Sequence, residues 1–222
     1  MDASTTAIVD AVDHWPKNGE MNLGDAAGLP FGLTAEGDPP LECHAEGSML
    51  VLRGGASSDL FVDPAGGGPQ LDGGRLLGDP PAGDFTLSAR VSVDFSSRYD
   101  AGVVLLYVDA FHWAKLCFEY SPQSRPTVVS VVTRGSSDDC NSFEVEGNSV
   151  WLRIIRSGQA WAFHASTDGV WWRLVRYFAL DGSTAPVRIG FEAQSPTGEG
   201  CTARFEDVTF THEIPGDLRD GS

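Results

Sequence analysis

Apolar and polar positions alternate with a period of two through most of the chain. In residues 85–95, FTLSARVSVDF, Phe85, Leu87, Ala89, Val91 and Val93 share one face, and Thr86, Ser88, Arg90, Ser92 and Asp94 share the other. That is the pattern of a strand with one buried face. The densest stretch is 99–142, YDAGVVLLYVDAFHWAKLCFEYSPQSRPTVVSVVTRGSSDDCNS. Residues 101–108 are apolar on both faces and predict a central strand. A short turn follows, then a strand over 113–120 and a third, β-branched strand over 127–133. Pro122 and Pro126 separate these two strands, because proline cannot donate to a ladder. Within 113–120 the faces differ: Ala114, Leu116, Phe118 and Tyr120 point one way, and Trp113, Lys115, Cys117 and Glu119 the other. A sandwich strand turns its apolar face to the opposite sheet. Leu116 and Phe118 are therefore expected between the sheets, with Trp113, Lys115 and Glu119 on the outer face and the Lys115 head group reaching solvent. Residues 135–139 read as a polar loop.

The flanks continue the all-β pattern. Residues 41–53 predict a hairpin turning at Glu46-Gly47-Ser48, and 149–156 with 160–166 predict another through Ser157-Gly158. Asp168-Gly169 is a strong hairpin signal leading into a return strand over 171–180. Residues 186–194 and 201–211 complete about twelve strands. No long helix, heptad pattern or internal repeat is visible. The stretch 54–83 is rich in Gly and Pro and reads as irregular. A loop of this length is often functional, and it reads either as a cover for one end of a groove or as a solvated crossover. The domain organisation follows: a leader over 1–22 anchored by Trp15, a sandwich over 23–211, and a flexible acidic tail over 212–222.

Composition narrows the function classes. A net charge of −16, from 31 acidic and 15 basic residues, argues against phosphate-driven nucleic-acid binding and against anionic membrane surfaces. Cys43, Cys117, Cys140 and Cys201 are too far apart for a zinc ribbon or a Cys-x-x-Cys pair, so free thiols are expected. No basic, apolar leader of secretory type and no run long enough to cross a bilayer appears. A cytoplasmic protein fits these features. Lys17 and Lys115 are the only lysines, so a Lys in mid-strand stands out against a background of Arg.

The segments DLFVDP, GDFTLSARV, YDAGVVLLYVDAFHWAKLCFEY, VVSVVTRGSSD, VWLRIIRSG, STDGVWWRLVR, SPTGEG and RFEDV, in this order, resemble the concanavalin A-like domain family of unknown function named for a "regulation of enolase" protein. That family is similar to C-terminal sandwich modules of some glycoside hydrolases. The resemblance covers roughly residues 40–210 and implies a jelly-roll sandwich of two antiparallel sheets, one of them concave. It places Trp113, Lys115 and Glu119 on one strand, followed by Ser137-Asp138. An aromatic residue is expected after that Asp. Asp139 stands there instead, which implies a more open and more acidic site.

Catalytic signatures are missing. The chain has no Gly-x-Ser-x-Gly, His-Glu-x-x-His or phosphate loop, and no Glu-x-Asp-x-x-Glu of laminarinase type. Asp138, Asp139 and Asn141 offer oxygens for Ca²⁺ but read first as a solvated loop, so neither a metal nor a cofactor is assigned. The candidate ligand-binding residues are Trp113 for stacking, and Lys115, Glu119, Asp138, Arg153 and His164 for hydrogen bonds. The same pattern also fits a paired Lys with a Trp covered by a neighbouring loop, and a core His bonded to backbone. The leading functional reading is a non-catalytic module that binds a small molecule or carbohydrate on the concave face. A metal-independent isomerase or lyase using the same groove and a protein-interaction module are the alternatives.

Overall fold

The computed structural model describes residues 22–37 and 41–221. The expected leader, all but Asn22, and its Trp15 anchor lie outside them. A single helical turn, α1 (Leu23–Ala26), is capped by the Asn22 side chain, which accepts from Gly24 N–H at 2.9 Å. The strands follow in order. The first six are β1 (Thr34–Glu36), β2 (Glu42–Glu46), β3 (Met49–Gly54), β4 (Leu60–Val62), β5 (Pro69–Leu71) and β6 (Arg75–Gly78). Next come β7 (Phe85–Val93), β8 (Ala101–Asp109), β9 (His112–Tyr120), β10 (Pro126–Arg134) and β11 (Ser136–Glu144). The last five are β12 (Ser149–Ser157), β13 (Ala160–Ser166), β14 (Arg173–Ala179), β15 (Arg188–Gln194) and β16 (Cys201–Thr211).

These strands build two antiparallel seven-stranded sheets. One has the order β1-β6-β15-β8-β9-β10-β11, and the other β14-β13-β12-β7-β16-β3-β2. The all-β sandwich is thus observed, with β8 at the centre of its sheet as its two apolar faces require. Between the sheets lies the main core. Leu116 and Phe118 of β9 meet Val104 and Leu106 of β8 there, together with Leu87 and Val91 of β7 and Phe205 of β16. Phe118 is fully buried, with Phe95 edge-on at 5.1 Å.

A second apolar layer lies on the opposite face of the first sheet. Val103, Leu105 and Tyr107 of β8, Trp113 and Cys117 of β9, and Val129 and Val131 of β10 pack there under Leu60 and Val62. The cover is the β4–β5 hairpin, which forms its own two-stranded sheet. It is pinned by Val62 N–H donating to Ser137 Oγ at 2.9 Å and by a bridge from Ser58 to Ser195. The stretch 54–83 is therefore not irregular: it supplies this hairpin and then β6, an integral strand of the sheet. Its short strands escape a period-two reading because each is only three or four residues long.

Two further expectations are corrected. Residues 135–139 do not form a loop, because β11 pairs with β10 as the edge strand of the sheet. Its sequence, SSDDCNSFE, carries no apolar alternation, since an edge strand facing solvent needs little. The segment after β16, read as a flexible tail, crosses the outer face of the second sheet instead. There Leu218 O accepts from His164 Nε2 at 2.8 Å, and Gly221 O accepts from Arg153 Nη2 at 2.7 Å.

Candidate functional site

A pocket of about 340 Å³ opens between the hairpin and the covered face of the first sheet. Its floor is Lys115, Glu119 and Val131, with Asp139 from β11 and Gln194 from β15. Asp59, Phe61 and Gln70 come from the hairpin side, and Tyr99, Pro196 and Thr197 close the rim. Strand parity explains the convergence. Val131 of β10 lies opposite both Lys115 of β9 and Asp139 of β11, so all three project from one face.

Lys115 is only 2% exposed. The expectation of a solvated head group fails because the hairpin roofs this face. Its Nζ donates to Asp59 Oδ1 at 2.8 Å and to Gln194 Oε1 at 2.7 Å, and lies 5.5 Å from the Trp113 ring centre. Burial works against the ammonium, but Asp59 and Glu192 outweigh it and hold its pKa above the ordinary lysine value. Gln194 fixes its amide by donating from Nε2 to Tyr99 O at 3.2 Å.

The carboxyls around this single ammonium are crowded. Burial pushes Glu119 up to about 8; Lys115 opposes the rise, and Asp139 and Asp59 add to it. Glu119 is 9% exposed, and among the described residues no hydrogen-bond donor reaches its carboxyl. Asp139 is raised by burial against the pull of Lys115. Glu192 of β15 is fully buried behind the pocket, neither oxygen has a hydrogen-bond partner among the described residues, and burial lifts it to about 7. Gly73 passes directly over it. A Cβ there would come within 2.5 Å of Glu192 Oε1 and 3.0 Å of the Asp59 backbone, so any larger residue would have to push the carboxyl aside.

The rim is built with equal care. Tyr99 has φ +69°, a left-handed conformation that is costly for an aromatic residue. Asp100, fully buried, holds the turn by accepting from Ser96 and Ser97 N–H, both at 2.8 Å. It also accepts from Ser195 Oγ at 2.6 Å, which ties this turn to the one carrying Pro196 and Thr197. Tyr99, 37% exposed, thus presents its ring at the pocket mouth.

Of the sequence candidates, the structure brings Lys115 and Glu119 together in this pocket and leaves the others elsewhere. Trp113 shares their face but is completely buried under the hairpin, its Nε1 donating to Ala110 O. It cannot stack on a ligand. Asp138 has the opposite parity to Asp139, stands exposed, and pairs with Arg176 at 3.5 Å. Arg153 and His164 lie on the other sheet, under the 212–221 segment, with Arg153 over the Trp172 ring at 4.1 Å. Burial, with Arg153 nearby, lowers the His164 pKa to about 4. Sequence reasoning missed Asp59, Tyr99, Asp139 as a lining group, Glu192 and Gln194. Asp139 was signalled as a departure from the family pattern and as an oxygen donor, but not as a ligand-binding candidate. A hollow of about 410 Å³ beside Arg53, Ser58, Asp72 and Glu199 is larger, but its charged side chains are all exposed to water.

Among the described residues, no helix is long and apolar enough to cross a membrane, and the four cysteines are unpaired. Residues 38–213 match the family described as "Protein of unknown function (DUF1349)". The chain is 27% identical over 182 residues to "Regulation of enolase protein 1" of Saccharomyces cerevisiae, covering 82% of this chain and 90% of that protein. A crystal structure of a functionally unknown S. cerevisiae protein superposes with a TM-score of 0.72 at 22% identity, covering 88% of this chain and all of the other. The GH43 protein BlXynB of Bacillus licheniformis superposes with a TM-score of 0.63 at 15% identity. There the match covers 76% of this chain and 34% of that one. Both superpositions show the same sandwich fold.

Proposed function

Because this chain belongs to the DUF1349 family, whose function is unknown, the pocket itself has to carry the reading: we propose that it binds a small carbohydrate or similar polyol over the roofed face of the first sheet. The observation that supports this most is the buried Lys115 in the pocket floor, held by Asp59 and Gln194 and ringed by surplus carboxyls. Stability does not call for it, since buried ion pairs are often replaceable by apolar side chains without loss. An apolar wall at Phe61 and Val131, an aromatic ring at Tyr99, and polar groups at Gln70, Gln194 and Thr197 make the mixed lining that sugar rings need. The volume of about 340 Å³ suits one or two sugar residues. The sandwich fold shared with a segment of a GH43 protein is compatible with a carbohydrate ligand. A reducing, cytoplasmic setting goes with this reading, on the four free thiols.

Saturation-transfer NMR against neutral mono- and disaccharides tests the reading. Binding should be lost in Tyr99→Ala and in Gln194→Leu while both variants keep the native fold. Binding unchanged in both variants would place the ligand elsewhere.

A metal-independent enzyme is a second reading, favoured by Glu119. A carboxyl raised to about 8 beside a pocket is protonated at neutral pH and can act as a general acid.

A further inference from the structure

We infer that the carbohydrate bound in this pocket is an aminated one, with its ammonium set against Glu119 and Asp139. This rests on the carbohydrate reading above and names the ligand class within it.

Lys115 and Asp59 satisfy one another at 2.8 Å. The remaining charged side chains facing the cavity are two carboxyls, Glu119 and Asp139, and among the described residues no second cation lines it. Arg176 approaches Asp139 from β14 but gives its hydrogen bonds to the Asp138 carbonyl and carboxylate. Glu119 is nine-tenths buried, lines the cavity, and receives no donor among the described residues. A buried carboxylate left without a donor is costly. Burial, the largest cause, raises the Glu119 pKa to about 8, and the neighbouring Asp139 and Asp59 carboxylates add to the rise. A ligand cation would supply the missing donors and the missing charge together.

A metal ion fits less well. Among the described residues, no three His, Cys, Asp or Glu side chains converge as a ligand set, and the Lys115 ammonium at the pocket floor repels a divalent ion. An ammonium carried on a polyol reaches Glu119 and Asp139 from the side, while its hydroxyls meet Gln70 and Thr197 and its ring meets Tyr99. An anionic sugar would face both carboxyls and is excluded.

The test is isothermal titration at pH 6.5 with D-glucosamine, D-glucose and D-glucuronate on the full chain. D-Glucosamine should bind at least about tenfold more tightly than D-glucose, and D-glucuronate should show no binding. Glu119→Gln should shrink the preference for the amine to within about threefold. Glu206→Gln, a carboxylate on β16 away from the pocket, should leave the preference intact, separating the site from general attraction to an acidic protein. Equal binding of D-glucosamine and D-glucose, or a preference that survives Glu119→Gln, overturns the inference and leaves the carbohydrate reading standing. Failure of all three sugars to bind overturns the carbohydrate reading and the inference with it.

Discussion

Replacing Lys115 with Met should be strongly destabilising, and more so at high pH than at low. The methionine side chain nearly fills the lysine volume, so the loss is electrostatic rather than a cavity. What disappears is the one ammonium among Asp59, Glu119, Asp139 and Glu192, with its bonds of 2.8 Å to Asp59 and 2.7 Å to Gln194. Removing one member of a buried pair costs about 3–5 kcal/mol, because the partner is left charged and dry. The carboxyls can escape this cost only by taking up protons. The lysine pKa is raised in the fold, so its contribution is fully present below the ordinary lysine value and the ammonium does not itself titrate between pH 5 and 8.5. The pH dependence of the loss therefore comes from the carboxyls. Urea unfolding should show a loss of about 3–5 kcal/mol at pH 8.5, falling to about 1–2 kcal/mol at pH 5, where only the two hydrogen bonds are missing. A loss below about 1 kcal/mol at both pH values, or a larger loss at pH 5, would refute the account of a charged, buried cluster.

Glu119→Gln tests the same cluster from the acid side. The folded-state pKa of about 8 stands above the ordinary 4.5, so wild-type stability falls as pH rises through that window. The variant should lose this share of the slope, and parallel curves would speak against it. Phe118→Ala should cost about 3–5 kcal/mol by denaturant unfolding, since its ring is sealed between the sheets; a loss under 1 kcal/mol would mean the strand is inside out. Alkylation of the native protein should label Cys140 alone, whereas the unfolded chain takes four labels; rapid native labelling of Cys117 would contradict the roofed face. Ending the chain after Gly216 removes Leu218 and Gly221 from His164 and Arg153. The His164 pKa, near 4 in the intact fold, should then move toward 6.5 in an NMR titration. An unmoved value would show that the segment does not bury the ring.

Strand parity made the faces of β9 legible. Leu116 and Phe118 are in the core, and Trp113, Lys115 and Glu119 share the other side, as alternation requires. Parity says which residues lie together but not what covers them. The roof comes from β4 and β5, three residues each, and its contact with Ser137 joins positions 75 residues apart. Local pattern could not reveal it, so it left open whether Trp113 was an exposed plate or covered by a neighbouring loop; the hairpin covers it. Tyr99 was invisible as a rim residue because its left-handed turn depends on the buried Asp100 and Ser195, which are distant in sequence. Arg153 and His164 were grouped with Lys115 as polar groups on strand faces that could reach the groove. Which sheet a strand joins is decided by pairing, and β12 and β13 pair away from β9. Glu192, fully buried, sits between Phe191 and Ala193, which read as ordinary core.

The most direct test of the central claim is a titration of ¹⁵N-labelled protein with D-glucosamine and D-glucose, followed by two-dimensional NMR. Shifts should concentrate at the backbone amides of Phe61, Tyr99, Asp139 and Thr197 and at the Gln194 side-chain amide. Shifts confined to the Arg153 and His164 face, or to the hollow beside Arg53 and Glu199, would contradict the placement of the ligand over Lys115.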